Sequence, residues 1–289
     1  AMAGEGCRLL PGRPGRGRGP GTTASRRKAG SRARAVRAAA RGDDSKEVWL
    51  LDYGAGNVRS IRNAIKFLGY SVRDVTSPAD LGRADVNKLV FPGVGAFGSA
   101  MHELEKGGYV KALREYINND RPFFGICIGM QVLYEGSEES AGVEGLGVLK
   151  GSVRKFAPRA GRPVPHIGWN TIDVLGENRV LPPSEYDQSR VYFVHSFHGV
   201  DAKPAFDSAS DDWLLARGHY GSASDPADAF VAAVGNGSQV FATQFHPEKS
   251  GAIGLSIMEN FLAGGHTKRQ ILVPNAGAAA MAAASSSAA

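Results

Sequence analysis

The sequence predicts an α/β fold with an open, mostly parallel sheet that is flanked by helices and extended by antiparallel strands. In the first half of the chain, short apolar runs alternate with segments of helical periodicity, which is typical of parallel strands covered on both faces. From about Gly145, short strand-like runs follow one another, which favours antiparallel strands. The chain has 289 residues, of which 43% are hydrophobic, so a large buried core can form.

The first half is predicted to contain four strands, at 47–51, 71–75, 88–91 and 122–126. A first helix is predicted to begin near Asn57 and to end at Gly69, because apolar residues recur at helical spacing between them. A second helix is predicted over 99–118. A third is expected to follow Cys127 and to carry Met130, Val132 and Leu133.

The second half is predicted to consist mainly of antiparallel strands that extend the sheet. Gly235, Asn236 and Gly237 separate two apolar runs, and this combination is a strong signal for a hairpin. A closing helix is predicted over 253–262. The strands are expected at 148–156, 171–174, 191–195, 213–216, 230–234 and 240–245.

The two ends of the chain differ in composition from the middle. Residues 1–41 contain eleven Lys and Arg residues and one acid, Glu5, without the apolar run of a secretory signal. This composition predicts that residues 1–45 are a disordered organelle transit peptide. A plastid is the first interpretation of its target and a mitochondrion the second. A disordered basic tail on a cytosolic protein is the remaining alternative. Residues 264–289 are predicted to be a low-complexity tail, which leaves 46–263 as one domain.

The formal net charge of +6 belongs to the N-terminal segment. Without residues 1–41 the chain has 23 basic and 27 acidic residues, a formal charge of −4. This balance argues against a nucleic-acid partner. No stretch approaches the roughly 20 apolar residues of a membrane span.

One of the two cysteines is a candidate nucleophile. Cys7 lies in the N-terminal segment, whereas Cys127 lies in the domain, so no disulfide framework is expected. Gly125-Ile126-Cys127-Ile128-Gly129 has the form of a nucleophile elbow between a strand and a helix. The glycines are needed because side chains there would collide with neighbouring backbone, and the Ile128 N–H can donate to an oxyanion. The alternative is a buried cysteine that only packs.

A base for this nucleophile is expected at His246. Glu248 follows two residues later, and in an extended segment both side chains point the same way, so the carboxylate can orient the imidazole. A surface ion pair is the alternative. The other histidines rank lower: His102 is placed within a helix, His219 and His266 in polar loops, and His166 and His195 have no acid two residues away.

Several motifs together resemble one family. GICIGMQ (125–131) and TQFHPEKS (243–250) resemble the signatures of class I glutamine amidotransferases, whose fold is flavodoxin-like. More narrowly, five further motifs resemble the glutaminases of imidazole glycerol phosphate synthases. The resemblance spans about residues 47–262, and the five motifs are DYGAGN (52–57), PGVGAFG (92–98), GLGVLKG (145–151), PHIGWN (165–170) and YFVHSF (192–197).

The resemblance implies a catalytic triad. Cys127 would attack the side-chain amide of L-glutamine and form a glutamyl thioester, His246 would transfer protons, and Glu248 would hold the imidazole. The resemblance also implies an oxyanion hole at Gly93, Val94, Gly95 and Ile128. Contacts to the bound glutamine are implied for Gln131, His195, Ser196 and Phe197.

The resemblance further implies a protein partner, a (β/α)8 cyclase that receives the ammonia and forms imidazole glycerol phosphate and an aminoimidazole carboxamide ribonucleotide in histidine biosynthesis. In the plant and fungal pattern the two parts are fused, whereas no barrel-like sequence follows Leu262, so a truncated gene product and a separate cyclase both stay open. An interface with the cyclase is implied for Asn57, Trp169, Tyr192 and Lys249, for which a solvated or packing role is the alternative.

Other functions are less favoured. Residues 93–98 satisfy G-x-G-x-x-G, but the acids expected on the next strand, Glu115 and Asp120, lie in or just after a helix. The sequence shows no metal-binding motif, and we expect neither a metal nor a cofactor. An α/β-hydrolase places its acid before its histidine, unlike Glu248. A different class I glutaminase and a non-catalytic scaffold are the remaining alternatives.

Overall fold

The computed structural model describes residues 46–54, 58–159, 162–205, 212–222 and 224–264. The predicted transit peptide at 1–45, the tail after Gly264, and Asn57 lie outside the described residues. Nothing in the described part of the chain tests those predictions.

The described residues form twelve strands and six α-helices. The helices are α1 (Val58–Phe67), α2 (Phe97–Lys106), α3 (Tyr109–Asn118), α4 (Ile128–Gln131), α5 (Pro183–Tyr186) and α6 (Gly251–Leu262). The strands are β1 (Glu47–Leu50), β2 (Ser71–Asp74), β3 (Leu89–Gly93), β4 (Phe123–Cys127), β5 (Tyr134–Ser137), β6 (Leu149–Lys155), β7 (His166–Val174), β8 (Arg190–His195), β9 (Phe197–His198), β10 (Leu214–His219), β11 (Ala229–Gly235) and β12 (Val240–Thr243).

Nine strands form the main sheet, in the order β2-β1-β3-β4-β12-β11-β10-β7-β8. The first five are parallel, and the last four continue the sheet in antiparallel pairs. This arrangement confirms the predicted α/β class with an antiparallel extension. A second sheet contains β5, β6 and β9.

Two strands take places that differ from the prediction. β12 was expected among the antiparallel strands, but it lies parallel to β4, with Ala242 opposite Gly125. The predicted hairpin at Gly235–Gly237 exists and joins β11 to β12. β12 runs antiparallel to β11 and therefore in the same direction as β4. β6 was expected in the main sheet and belongs to the second sheet instead.

Several predicted boundaries were also wrong. The helix predicted over 99–118 is divided into α2 and α3 at Gly107 and Gly108, and Gly108 adopts a φ of 73° that ends helical geometry. α4 ends at Gln131, so Val132 and Leu133 precede a strand that the sequence did not predict. β7 begins at His166, five residues before the predicted start, and His219 ends strand β10 rather than lying in a loop.

The core lies on both faces of the sheet. Along β1, Val48 and Leu50 pack in the cluster that contains α1 and α6, whereas Trp49 and Leu51 pack in the cluster that contains α2 and α3. This alternation is the side-chain period of a strand covered on both faces. Among the described residues, none of the helices combines the length and hydropathy that crossing a membrane requires.

The sheet brings three strand ends together. Gly93, the last residue of β3, pairs with Cys127, the last residue of β4, and Ile126 pairs with Thr243 at the end of β12. Because these strands are parallel, the segments that follow them meet at one edge of the sheet. The segments that carry Cys127, Val94 and His246 therefore meet at this edge.

Candidate active site

Cys127 lies on a tight turn between β4 and α4. Its backbone has φ 55° and ψ −106°, a region that residues with a side chain rarely adopt. The neighbouring glycines are required by space: a Cβ on Gly125 would lie 2.5 Å from Gly129 O, and one on Gly129 would lie 2.0 Å from Phe91 O. The strand-to-helix elbow predicted from the sequence is present in this geometry.

His246 and Glu248 form a buried pair just after β12. The Nδ1 atom of His246 lies 2.8 Å from Glu248 Oε1, and both side chains are at most 2% exposed. The pair is not held in an extended segment as expected, because a short 3₁₀ turn, Pro247–Lys249, begins directly after His246. Ser250 holds this turn by donating its hydroxyl to His246 O at 2.7 Å.

The imidazole of His246 lies next to the Cys127 thiol. Burial lowers the pKa of His246, but the negative charge of Cys127 and the hydrogen bond and charge of Glu248 outweigh it and raise the pKa to about 10. The Nε2 atom is buried and makes no well-aligned hydrogen bond among the described residues. A raised pKa keeps the imidazole of His246 protonated, and a positive charge beside a cysteine is the setting in which cysteines act as nucleophiles.

A cavity of about 420 Å³ opens on Cys127 and His246. It brings together most of the residues that the sequence predicted for oxyanion stabilisation and glutamine binding. Gly93 is not in the cavity wall, but it lies directly beside the nucleophile, because a Cβ there would be 2.6 Å from Ile128 Cβ. The predicted residues in the wall are Val94, Gly95, Ile128, Gln131, His195, Ser196 and Phe197.

Gln244 was missed by the sequence reasoning. Its Nε2 donates to Cys127 Sγ at 3.6 Å, and its Oε1 accepts a hydrogen bond from Gln131 Nε2 at 3.0 Å. Gln131 also donates to Phe197 O at 2.9 Å. Gln244 precedes His246 by two residues, and the spacing used for Glu248 could have indicated it.

Tyr53 was also missed. Its hydroxyl is buried without a hydrogen-bond partner among the described residues, and a Cβ on Gly93 would lie 2.8 Å from it. Burial and then the charge of Cys127 raise the pKa of Tyr53 above its usual value. The phenol therefore stays neutral and lies close to the strand end that precedes Val94.

Three neutral histidines, His166, His195 and His198, form a cluster, and His195 also lines the cavity. Burial is the first cause that lowers the pKa of His166, to about 4, and it also lowers the pKa of His195 and of His198. The rings pack on aromatic side chains: His166 stacks on Tyr220 with centroids 3.9 Å apart, and His198 stacks on Phe156 at 4.1 Å. Charging any of these histidines would place a cation in an apolar cluster.

We expect acid to destabilise the fold through this cluster. Because the folded-state pKa of His166 lies below the ordinary value of 6.5, the unfolded chain binds the proton more readily, and the stabilisation is complete above about pH 6.5 and lost as the pH falls toward 4. His166 alone should lower the free energy of unfolding by about 2 kcal/mol between pH 7 and pH 5. Urea unfolding at both pH values measures this.

His166→Phe isolates the effect, because the substitution keeps a ring of similar size and removes the titration. Its free energy of unfolding should change less between the two pH values than that of the wild type. His102→Gln, on an exposed position of α2, is the matched control and should behave as the wild type does. An unchanged pH dependence in His166→Phe would refute the role of His166.

Three of the residues predicted to face a partner lie together. Trp169 is 47% exposed and is paired across the strands with Tyr192, with ring centroids 6.1 Å apart. Lys249 Nζ lies 6.0 Å from the centroid of the Tyr192 ring, and Lys249 also lines the cavity. We call these three residues the Trp169 patch. It joins the cavity to an exposed surface on which Ile167 is 59% exposed.

Residues 49–264 match the model of the family described as glutamine amidotransferase class-I. The chain belongs to this family. The matched region contains the elbow at Cys127 and the pair formed by His246 and Glu248. Class I glutamine amidotransferase membership agrees with the signatures at 125–131 and 243–250, on which the resemblance rested.

The relatives of this class I glutamine amidotransferase are of two lengths. "Imidazole glycerol phosphate synthase hisHF, chloroplastic" from Arabidopsis thaliana is 46% identical over 231 residues, which cover 80% of this chain and 36% of that protein. "Imidazole glycerol phosphate synthase subunit HisH" from Synechococcus sp. is 44% identical over 214 residues, which cover 74% of this chain and 91% of that protein. The chain thus spans little more than a third of the plant relative.

The fold agrees with the family. The crystal structure of a glutamine amidotransferase superposes with a TM-score of 0.54 and 21% identity, over 75% of this chain and 99% of that chain. At this identity the likeness supports the fold alone. The class I glutamine amidotransferase fold that the sequence predicted is confirmed.

Proposed function

We propose that this chain hydrolyses L-glutamine to glutamate and ammonia through a Cys127–His246–Glu248 triad. One observation carries the proposal: a thiol on a strained elbow and a buried imidazole–carboxylate pair meet at the wall of one cavity of about 420 Å³. A nucleophile, a base and a group that orients the base are the parts that nucleophilic acyl transfer needs.

The first half-reaction releases ammonia. The Cys127 thiolate attacks the side-chain amide carbon of glutamine, and the carbonyl oxygen takes the negative charge. His246 gives its proton to the nitrogen as the C–N bond breaks, so that ammonia leaves and a glutamyl thioester remains. Gln244 supports this step because its amide donates to Sγ and holds the sulfur in place.

The second half-reaction restores the enzyme. Neutral His246 takes a proton from water, and the resulting hydroxide attacks the thioester carbon and expels the Cys127 thiolate, which yields glutamate. Glu248 accepts the hydrogen bond of Nδ1–H throughout, so that Nε2 faces the reacting atoms. Both steps pass through an oxyanion, for which we propose the Ile128 N–H and the backbone of Gly93, Val94 and Gly95 as donors.

We propose that glutamine lies with its amide at Cys127 and its amino-acid end toward the remaining wall of the cavity. That wall includes Gln131 and the segment His195, Ser196 and Phe197, and Glu139, Pro165, Val194 and Lys249 also line the cavity. Gln131 is already fixed by its hydrogen bonds to Phe197 O and Gln244. A fixed wall loses little conformational entropy when the substrate binds.

We further propose that the ammonia is supplied to a (β/α)8 cyclase, giving imidazole glycerol phosphate and an aminoimidazole carboxamide ribonucleotide in histidine biosynthesis. Support comes from the relatives at 46% and 44% identity, both named imidazole glycerol phosphate synthase, which also makes a different class I glutaminase less favoured. The Trp169 patch is the proposed contact with the cyclase, together with Asn57. Trp169 in this patch is exposed, and Lys249 connects the patch to the cavity, as expected for a surface where ammonia leaves toward a partner.

We propose the domain limits 1–45, 46–263 and 264–289, with the first segment as a plastid transit peptide. The Arg-rich, acid-poor composition of residues 1–41 supports this plastid localisation, as does the word chloroplastic in the name of the Arabidopsis relative. Whether the cyclase is fused or separate does not affect the chemistry proposed for Cys127.

The proposed function predicts a specific loss of rate in Glu248→Gln. Without the carboxylate, the orientation and the positive charge of His246 are no longer stabilised, so kcat for glutamine hydrolysis should fall by roughly 100-fold or more. The full chain is assayed for glutamate formation from L-glutamine, alone and with a (β/α)8 cyclase from an imidazole glycerol phosphate synthase. Glu115→Gln, on an exposed position of α3, is the matched control.

The assay separates the two parts of the proposal. Glutamine hydrolysis that rises when the cyclase is added supports both the chemistry and the partner. Hydrolysis that does not respond to the cyclase supports the chemistry and contradicts the partner. A wild-type chain that forms no glutamate in either case, or a Glu248→Gln variant as active as the Glu115→Gln control, contradicts the triad.

A further inference from the structure

A second cavity, of about 570 Å³, lies on the other side of the short strand β9. Phe197 lines the candidate active site, whereas the next residue, His198, lines this second cavity. Cavities of this size commonly hold small molecules. The chemistry proposed for Cys127 uses none of its residues.

The wall of the second cavity carries a strong excess of positive charge. Four cationic side chains and two imidazoles line it, and none of its described lining residues is acidic. The side chains of Arg154, Lys155 and Arg217 make no ion pair or hydrogen bond with any described residue. The six residues, which we call the basic cavity, are Arg154, Lys155, Arg162, His198, Arg217 and His219.

Arg162 is the fixed cation of the basic cavity. It is 6% exposed, and it donates to Tyr220 O at 3.0 Å and to Asp228 and Ala157 O. Its Nε is buried and has no partner among the described residues. Asp228 is its one carboxylate partner and also contacts Arg159 at 2.9 Å, while Arg159 has a second carboxylate partner, Asp225, at 2.6 Å. A guanidinium held in this way is preorganised for an anion.

The acids near the cavity do not cancel the charge of its wall. Asp173 lies 3.2 Å from His219 Nδ1 and faces that imidazole, while Glu138 accepts a hydrogen bond from the backbone N–H of Lys155 at 2.9 Å. Asp173 is the cross-strand neighbour of Arg217, but neither carboxylate forms an ion pair with Arg154 or Arg217. Two exposed guanidinium groups without ion pairs and one buried, fixed guanidinium line the same cavity, and guanidinium donors suit phosphate oxygens.

We propose that the basic cavity binds a small phosphate monoester. The fixed Arg162 and the free Arg154 and Arg217 offer the donors, and a volume of about 570 Å³ leaves room for an organic group beside the phosphate. This site is independent of glutamine hydrolysis: it shares no side chain with the triad.

Isothermal titration calorimetry of the full chain tests the proposal, with glycerol 3-phosphate and inorganic phosphate as probes and glycerol as the uncharged control, at constant ionic strength. The wild type should bind glycerol 3-phosphate with a Kd of about 1 mM or lower and should not bind glycerol. Arg154→Gln/Arg217→Gln should weaken binding at least about tenfold, because two unpaired donors are lost. Both positions are exposed, so the variant should fold.

Lys106→Gln/Lys111→Gln is the matched control, since it removes the same charge from exposed positions on α2 and α3. It should bind the probe as the wild type does. The proposal is overturned if the wild type binds neither phosphate probe, or if both double variants lose affinity equally, which would show attraction by net charge alone. Binding of inorganic phosphate with the same affinity as glycerol 3-phosphate would overturn the preference for a monoester.

Discussion

Cys127→Ala is expected to lower the rate of glutamine hydrolysis by at least about 10³-fold. The substitution removes the only atom in the cavity that the proposed mechanism joins covalently to the substrate. Neither His246 nor the proposed oxyanion donors can replace it, because they act on a thioester that no longer forms. The measurement is glutamate formation from L-glutamine by the full chain, in the presence of the cyclase.

The same variant separates the nucleophile from the rest of the site. Cyclase binding and cyclisation fed with added ammonia should be unchanged, because neither needs the thioester. The pKa of His246 should fall from about 10, since the charge of Cys127 is the largest cause that raises it. Proton NMR of the His246 ring measures this shift directly.

Cys7→Ala is the matched control, since it removes the other cysteine of the chain. It should retain wild-type glutaminase activity. If Cys127→Ala keeps appreciable turnover, or if Cys7→Ala loses it, Cys127 is not the nucleophile. A Cys127→Ala variant with an unchanged pKa at His246 would show that the thiolate does not act on the imidazole.

Gly129→Ala is expected to lower the stability of the fold strongly. A Cβ at Gly129 would lie 2.0 Å from Phe91 O and 3.2 Å from Phe91 C, well inside contact distance. Phe91 belongs to β3, which is paired with β1 on one side and β4 on the other, so the carbonyl cannot move without disturbing the centre of the sheet. The free energy of unfolding should fall by about 3 kcal/mol or more, measured by urea unfolding.

Gly82→Ala provides the comparison for Gly129→Ala. A Cβ at Gly82 meets no atom within 4 Å, and its φ is not in the left-handed region. Its free energy of unfolding should change by no more than about 1 kcal/mol, in either direction. Equal stabilities for the two variants would mean that the elbow is not packed against β3 as the structure describes.

The first half of the fold was predictable because its signals are local. The strands β1, β3 and β4 are short, mostly apolar runs between turns or helices, and the run 122–126 was placed within one residue of β4, at Phe123–Cys127. The two glycines around Cys127 also predicted the elbow, although only one of them is required by a local contact: a Cβ on Gly125 would collide with Gly129 O, whereas a Cβ on Gly129 would collide with Phe91 O on β3. The break between α2 and α3 was missed, although Gly107 and Gly108 lie there and glycine is a poor helix former.

The second half was harder because strand pairing is not local. Nothing in the run 240–245 distinguishes an outer antiparallel strand from β12, which lies in the middle of the sheet next to β4. The position of β12 is decided by its contacts with β4, whose residues lie 117 positions earlier in the chain. β5 and β9 were missed because they contain four and two residues and are stabilised by β6 rather than by their own sequence.

The sequence by itself determined the fold class and indicated the residues of the proposed triad, because both depend on short patterns and on the chemistry of single side chains. Only the tertiary structure decided that Cys127 and His246 lie at one sheet edge, that Gln244 donates to the thiol, and that Arg154, Arg162 and Arg217 surround one cavity. The physical reason is that hydrogen bonds and charge interactions act over a few ångströms in space, and distances along the chain do not determine which groups come that close.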